Sequence, residues 1–187
     1  MLRSKGVAAR ARCGFGAYFA KDRFVAHWVT EYFDAAQGRW ILADAQIDDR
    51  QRALFGIDFD TLDVPREKFL VAGDAWRLCR DGRADPQAFG VLDMAGLWFI
   101  ASNVIRDVAA LNNCEMLPWD VWGGMTLVDS EIDPDFIDGL ARLTHEPDRH
   151  LVELRTDYDD PRIAVPSTVL NAVLGRPEAV SPFARSA

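Results

Sequence analysis

Residues 10–48 read RARCGFGAYFAKDRFVAHWVTEYFDAAQGRWILADAQID, and how this stretch is parsed decides the fold. It is dense in aromatic and β-branched residues and is broken twice by turn sequence, Ala20-Lys21-Asp22-Arg23 and Ala35-Ala36-Gln37-Gly38. The parse is three short antiparallel strands, at 7–18, 24–33 and 39–45, joined as a β-meander. His27 falls in the second strand and Asp44 at the end of the third. Paired residues on neighbouring strands point to the same face. With the turns placed as above, His27 lies opposite Gly16, which leaves space above the imidazole, and Asp44 lies opposite Val29. His27 and Asp44 are then diagonal neighbours on one face, within reach of a hydrogen bond. Cys13 falls near position 30 and points to the other face.

Outward from the meander, residues 1–6 read as the last turn of a helix. Arg3 and Lys5 suit a helix C-terminus, and Gly6 suits the left-handed position after it. One turn is not stable alone, so the chain is expected to enter partway along a helix. Residues 48–68 read as an irregular connection with apolar anchors Leu54, Phe55, Ile57, Phe59 and Leu62. A short helix over 73–80 carries Trp76 and Cys79. Asp93 is the expected N-cap of the strongest helix, 94–112, with Leu97, Trp98, Ala101, Val104, Ile105, Val108 and Leu111 on one buried face. Asp133-Pro134 opens another helix whose inner stripe is Phe136, Ile137, Leu140 and Leu143. Further helices are expected at 148–158 and 167–174, followed by a frayed tail over the last ten residues. The fold class is α+β: a meander core over 1–70 and a helical extension over 71–187 packed on it.

Composition narrows the function. The chain has 187 residues, a net charge of -8 and no basic block, which disfavours nucleic acid as a partner. No apolar run approaches a membrane span, and no signal peptide is evident. Cys13, Cys79 and Cys114 are too scattered for a disulfide framework or a metal site, so a reducing cytoplasm is the expected location and no cofactor is expected. The acidic run 157–160 reads as a solvated turn rather than a cation site. His145 and His150 read as solvated, and Trp119 and Trp122 as packing under a loop.

A His oriented by an Asp is two-thirds of a nucleophilic triad: the His takes a proton, and the carboxylate fixes its tautomer and stabilises the imidazolium. The nucleophile is the gap. Cys13 faces away and lacks a helix N-terminus to activate it. Cys79 and Cys114 have no nearby His in sequence, and Ser4, Ser102, Ser130 and Thr30 have no activating context.

The run 2–10 (LRSKGVAAR), Gly14-Phe15, the strand His27-Trp28-Val29-Thr30-Glu31-Tyr32 and the strand 38–44 (GRWILAD) together resemble the core of the bacterial transglutaminase-like superfamily. Residues 103–122 are also similar to a helical extension found in one bacterial branch of it. The resemblance implies a papain-like Cys-His-Asp site with His27 as base and Asp44 as its orienting carboxylate. Its nucleophilic Cys would lie at the start of a helix running into 2–6, ahead of Met1, and Cys13 matches a first-strand residue instead. The implied chemistry is thiol-dependent acyl transfer or hydrolysis on a peptide or amide substrate, as in a protease, deamidase or transglutaminase, inactive in this chain for want of the thiol. The alternative is a degenerate, non-catalytic binding or interaction module. Loss of the helix would expose apolar sheet surface and favour a homo-oligomer through that face.

Overall fold

The computed structural model describes residues 2–181. Strands β1 (Ala9–Ala20) and β2 (Arg23–Asp34) form a long antiparallel hairpin, and β3 (Arg39–Ala43) returns along the second half of β2. Asp22 (φ 57°) and Gly38 (φ 66°) supply the left-handed conformations at the two turns. The second hairpin has the register expected from its turn: Thr30 pairs with Ala43, so Asp44 follows opposite Val29.

The first hairpin departs from expectation. The register shifts between Gly16 and Ala20, so His27 pairs with Gly14 rather than Gly16. A slide of two residues preserves parity, and His27 and Cys13 keep their opposite faces. Gly14 does not open space above the imidazole. Strand β4 (Phe69–Val71) pairs with β1 from Gly14 to Gly16, and a Cβ on Gly14 would strike the Leu70 carbonyl oxygen.

The sheet also grows on the far side of β2. There β5 (Phe89–Val91) pairs parallel with Phe24 and Val25, and β6 (Met94–Ala95) pairs antiparallel with β5. A second small sheet joins β7 (Asp120–Val121), β8 (Thr168–Asn171) and β9 (Arg176–Ala179). The chain beyond residue 70 is therefore not purely helical, although α2 (Ala72–Arg80), α3 (Leu97–Leu111), α4 (Pro134–His145) and α5 (Leu151–Asp157) dominate it. The helix expected at 167–174 is a strand: Val169 and Asn171 are buried while Thr168 and Leu170 are exposed, a period of two. Gly175 (φ 62°) turns the chain back into β9, so residues 178 and 179 are paired strand rather than tail; residues 182–187 of that expectation lie outside the described residues.

Further expectations are corrected. Residues 49–55 form helix α1 (Asp49–Phe55), nucleated by a capping box in which Asp48 accepts from the Gln51 N–H and the Gln51 side chain accepts from the Asp48 N–H. Of the anchors expected there, Ile57 is buried, whereas Leu54 and Leu62 are 75% and 58% exposed. Asp93 does not cap α3, because Met94 and Ala95 are taken by the β5–β6 hairpin. The helix starts after Gly96, and the Trp98 N–H is capped from afar by Asp129 at 2.8 Å. Nor does α3 bury only one face: Ser102, Asn103, Arg106 and Asp107 are buried along with its apolar stripe.

The fold is α+β. One face of the large sheet packs Phe15 and Phe89 against Trp76 of α2 and Phe99, Val104, Ile105 and Val108 of α3. The other face carries Tyr18, Val29, Leu42, Phe69 and Val71 under a thin cover of Ile47, Ile57 and Val64. His27 lies on this thinly covered side.

Candidate functional site

His27 Nε2 lies 2.8 Å from Asp44 Oδ2. The juxtaposition follows from register: parity puts both side chains on one face, and Asp44 is the first residue past the end of β3, free of a ladder partner. Its N–H instead donates to the Thr61 carbonyl at 2.7 Å, which ties the turn to the 61–64 loop. The Asp44 side chain is fully buried, and that of His27 is 16% exposed. The buried carboxylate therefore needs internal donors. Besides His27, the Tyr18 hydroxyl donates to Oδ2 at 2.8 Å and the Gln46 N–H to Oδ1 at 3.2 Å.

The electrostatics follow from these contacts. Burial pushes the Asp44 carboxyl up, but the hydrogen bond and charge of His27, with Tyr18 and Gln46, bring it below the ordinary aspartate value. Burial, reinforced by the carboxylate, raises the Tyr18 phenol, so Tyr18 remains a donor. An imidazole donating Nε2–H to a fixed carboxylate presents Nδ1 as its basic nitrogen. That arrangement can accept a proton from a thiol, hydroxyl or water and stabilise the resulting imidazolium. Phe19 (ring centroid 4.7 Å, 69°) and Tyr18 (6.4 Å, 88°) meet the imidazole edge to face and hold its plane.

The cysteines do not complete this site. Cys13 points to the α3 side of the sheet, where its Sγ donates to Asn103 Oδ1 at 3.4 Å. It is 2% exposed, and burial together with Asp107 pushes its thiol far up. Burial, with Asp85, pushes the Cys79 thiol on α2 up to about 11. Cys114 is buried just beyond α3.

A second polar centre, not anticipated from the sequence, lies at the open edge of β1. Beyond Gly14 that edge has no strand partner, and α3 seals it: Asp107 accepts from the Cys13 N–H at 2.8 Å and from Arg12 Nε and Nη2 at 3.1 and 2.8 Å. Arg12 also donates to Glu31 and to the Thr144 carbonyl, and Glu31 gathers Arg10 and Arg66 as well. Burial raises the Asp107 carboxyl, yet it accepts three hydrogen bonds from N–H donors, the geometry of a carboxylate. Burial opposes ionisation of Glu31 too, but Arg12, Arg10 and Arg66 outweigh it and hold it at about 2. This is a structural clamp between the sheet, α3 and α4. The periodicity of α3 concealed it, because Arg106-Asp107 reads as part of a solvated face.

The remaining candidates are peripheral. His145 pairs with Asp74 at 2.6 Å and His150 with Glu153 at 2.9 Å, both on partly exposed helix ends. Asp160 caps the Arg162 N–H and pairs with its guanidinium, which makes 158–160 a turn after α5. Among the described residues no cluster of three His, Cys, Asp or Glu side chains is arranged to hold a metal ion. Trp122 is buried with its Nε1 on the Ile163 carbonyl, whereas Trp119 is 37% exposed. Among the described residues no helix is long and apolar enough to cross a membrane. Comparison with models of known protein families, with curated proteins and with solved structures finds no match.

Proposed function

We propose that this chain carries the base half of a thiol-dependent acyl-transfer site of transglutaminase-like type. The observation that carries the reading is the 2.8 Å His27–Asp44 hydrogen bond on one face of the meander, with Asp44 buried and held by Tyr18. His27 is the base, Asp44 its orienting carboxylate and Tyr18 a positioning residue; the substrate is a peptide or amide. The thiol that His27 serves is none of Cys13, Cys79 and Cys114. The reading also places the protein in a reducing cytoplasm, where those thiols stay free.

Supplying the thiol from solution tests the reading. With p-nitrophenyl acetate and 2-mercaptoethanol, the wild-type chain accelerates thiolysis above the uncatalysed rate. His27→Ala abolishes the excess and Asp44→Asn cuts it by roughly tenfold or more. An excess rate that survives His27→Ala takes His27 out of the chemistry.

A second reading, a non-catalytic interaction module, is favoured by a groove of about 450 Å³ on the sheet face away from His27. It is lined by Ala9, Ala11, Thr30, Tyr32, Ala43 and Leu62. Its occupant in this reading is a second copy of the chain, and a chain without thiolysis activity that sediments as a dimer supports it.

A further inference from the structure

The bulge that shifts β1 between Gly16 and Ala20 turns Tyr18 and Phe19 toward α1 and the segment after it. Four aromatic rings assemble there. Phe19 meets Phe55 edge-on (5.4 Å, 85°), Tyr18 meets Phe59 (5.4 Å, 70°), and Tyr18 and Phe19 lie against each other at 4.4 Å. Between them and the chain opposite is a cleft of about 370 Å³, walled by Tyr18, Phe19, Phe55, Ile57 and Phe59. Phe19 is shared: it lines the cleft and its ring also meets the His27 ring.

The rim is charged. Lys21 and Lys68 line it, together with one acid, Asp58. They are two of the three lysines in the whole chain. Among the described residues neither makes an ion pair, whereas arginine and histidine make the ion pairs elsewhere, as at Arg39–Asp63, Arg80–Asp138 and Arg142–Glu153. In a protein of net charge -8, a mouth with two unpaired cations against one acid runs against the overall charge.

We propose that this cleft is a substrate subsite beside His27, taking a large apolar side chain of a peptide, aromatic or branched, whose neighbouring residue is acidic. The apolar side chain stacks among the rings, and the adjacent carboxylate is met by Lys21 and Lys68. The shared Phe19 then sets the scissile or transferred amide near the imidazole. This assignment rests on the reading of His27–Asp44 as a reaction centre, but its binding component is measured independently of any reaction.

The test uses the full chain at low ionic strength and three probes: acetyl-Phe-Asp-amide, acetyl-Phe-Asn-amide and acetyl-Gly-Asp-amide, followed by ¹H–¹⁵N shift perturbation. The first peptide binds tightest and perturbs the His27 ring resonances as well as the amides of 17–21 and 54–59. Phe55→Ala, at a position 36% exposed, weakens it roughly tenfold. The pair Lys21→Gln and Lys68→Gln removes the preference for Asp over Asn, a loss of about fivefold. Equal binding of the Asp and Asn peptides, no response to Phe55→Ala, or no binding overturns the subsite. Binding as described, in a chain whose thiolysis does not depend on His27, leaves the subsite standing and removes the catalytic reading instead.

Discussion

At the scale of single residues, His27 and Cys13 lie on opposite faces of the β1–β2 hairpin. His27 and Cys13 are close in sequence terms and would form a thiol–imidazole pair on a careless reading, but alternation along paired strands separates them by the thickness of the sheet. Cys13 is a small core residue whose N–H and Sγ are both engaged by α3. Iodoacetamide therefore alkylates Cys13 in the folded protein only at the rate of global opening, and His27→Ala does not slow that labelling when followed by mass spectrometry. Fast labelling that slows in His27→Ala makes Cys13 the nucleophile. The His27–Asp44 pair was legible from parity and turn placement alone. Tyr18 was not, because alternation along β1 gives its face but not that its hydroxyl reaches Asp44.

At the scale of elements, legibility tracked how local the determining interaction is. Helix α4, with Asp133 as N-cap and Pro134 in the first turn, could be read in place. The strands expected for the meander match the observed ones to within two residues at each end. Helix α1 carries an equally local signal, Asp48-x-x-Gln51, that the scattered apolar residues around it obscured. Because α1 is exposed and has no buried residue of its own, this cap is its main support. Asp48→Ala costs about 1 kcal/mol, read from the urea midpoint, and loosens the Phe55 wall of the cleft. An unchanged midpoint shows that packing of Phe55 on Phe19, rather than the cap, holds α1. By contrast, the start of α3 and the β8–β9 hairpin depend on distant partners, Asp129 and β7, which no local pattern reveals.

At the scale of the whole molecule, stability is concentrated where the sheet edge, α3 and α4 meet through Arg12, Glu31 and Asp107. Removing one member of such a buried set leaves an uncompensated charge, so Arg12→Ala costs about 3–5 kcal/mol. The pH dependence follows from the carboxylates held low. Glu31, at about 2 in the fold against 4.5 in the unfolded chain, contributes stability that is complete above 4.5 and is lost as pH falls toward 2. Its share is roughly 3 kcal/mol. Asp44, also lowered, acts in the same direction. The free energy of unfolding, from urea titrations at successive pH values, declines below about 4.5, less steeply in Glu31→Gln; Asp107, raised by burial, acts in the opposite direction. A decline of equal slope in that variant assigns the acid sensitivity elsewhere. None of this clamp was legible in sequence, since its members lie 19 to 132 residues apart.

The most direct test of the account is the protonation of one ring. Two-bond ¹H–¹⁵N correlation on His27 in slightly alkaline solution should show the neutral imidazole protonated at Nε2, with Nδ1 bare. Asp44→Asn should change that tautomer balance while the amide spectrum keeps the native fold. A ring protonated at Nδ1, or a tautomer indifferent to Asp44→Asn, contradicts the claim that Asp44 orients His27 as a base.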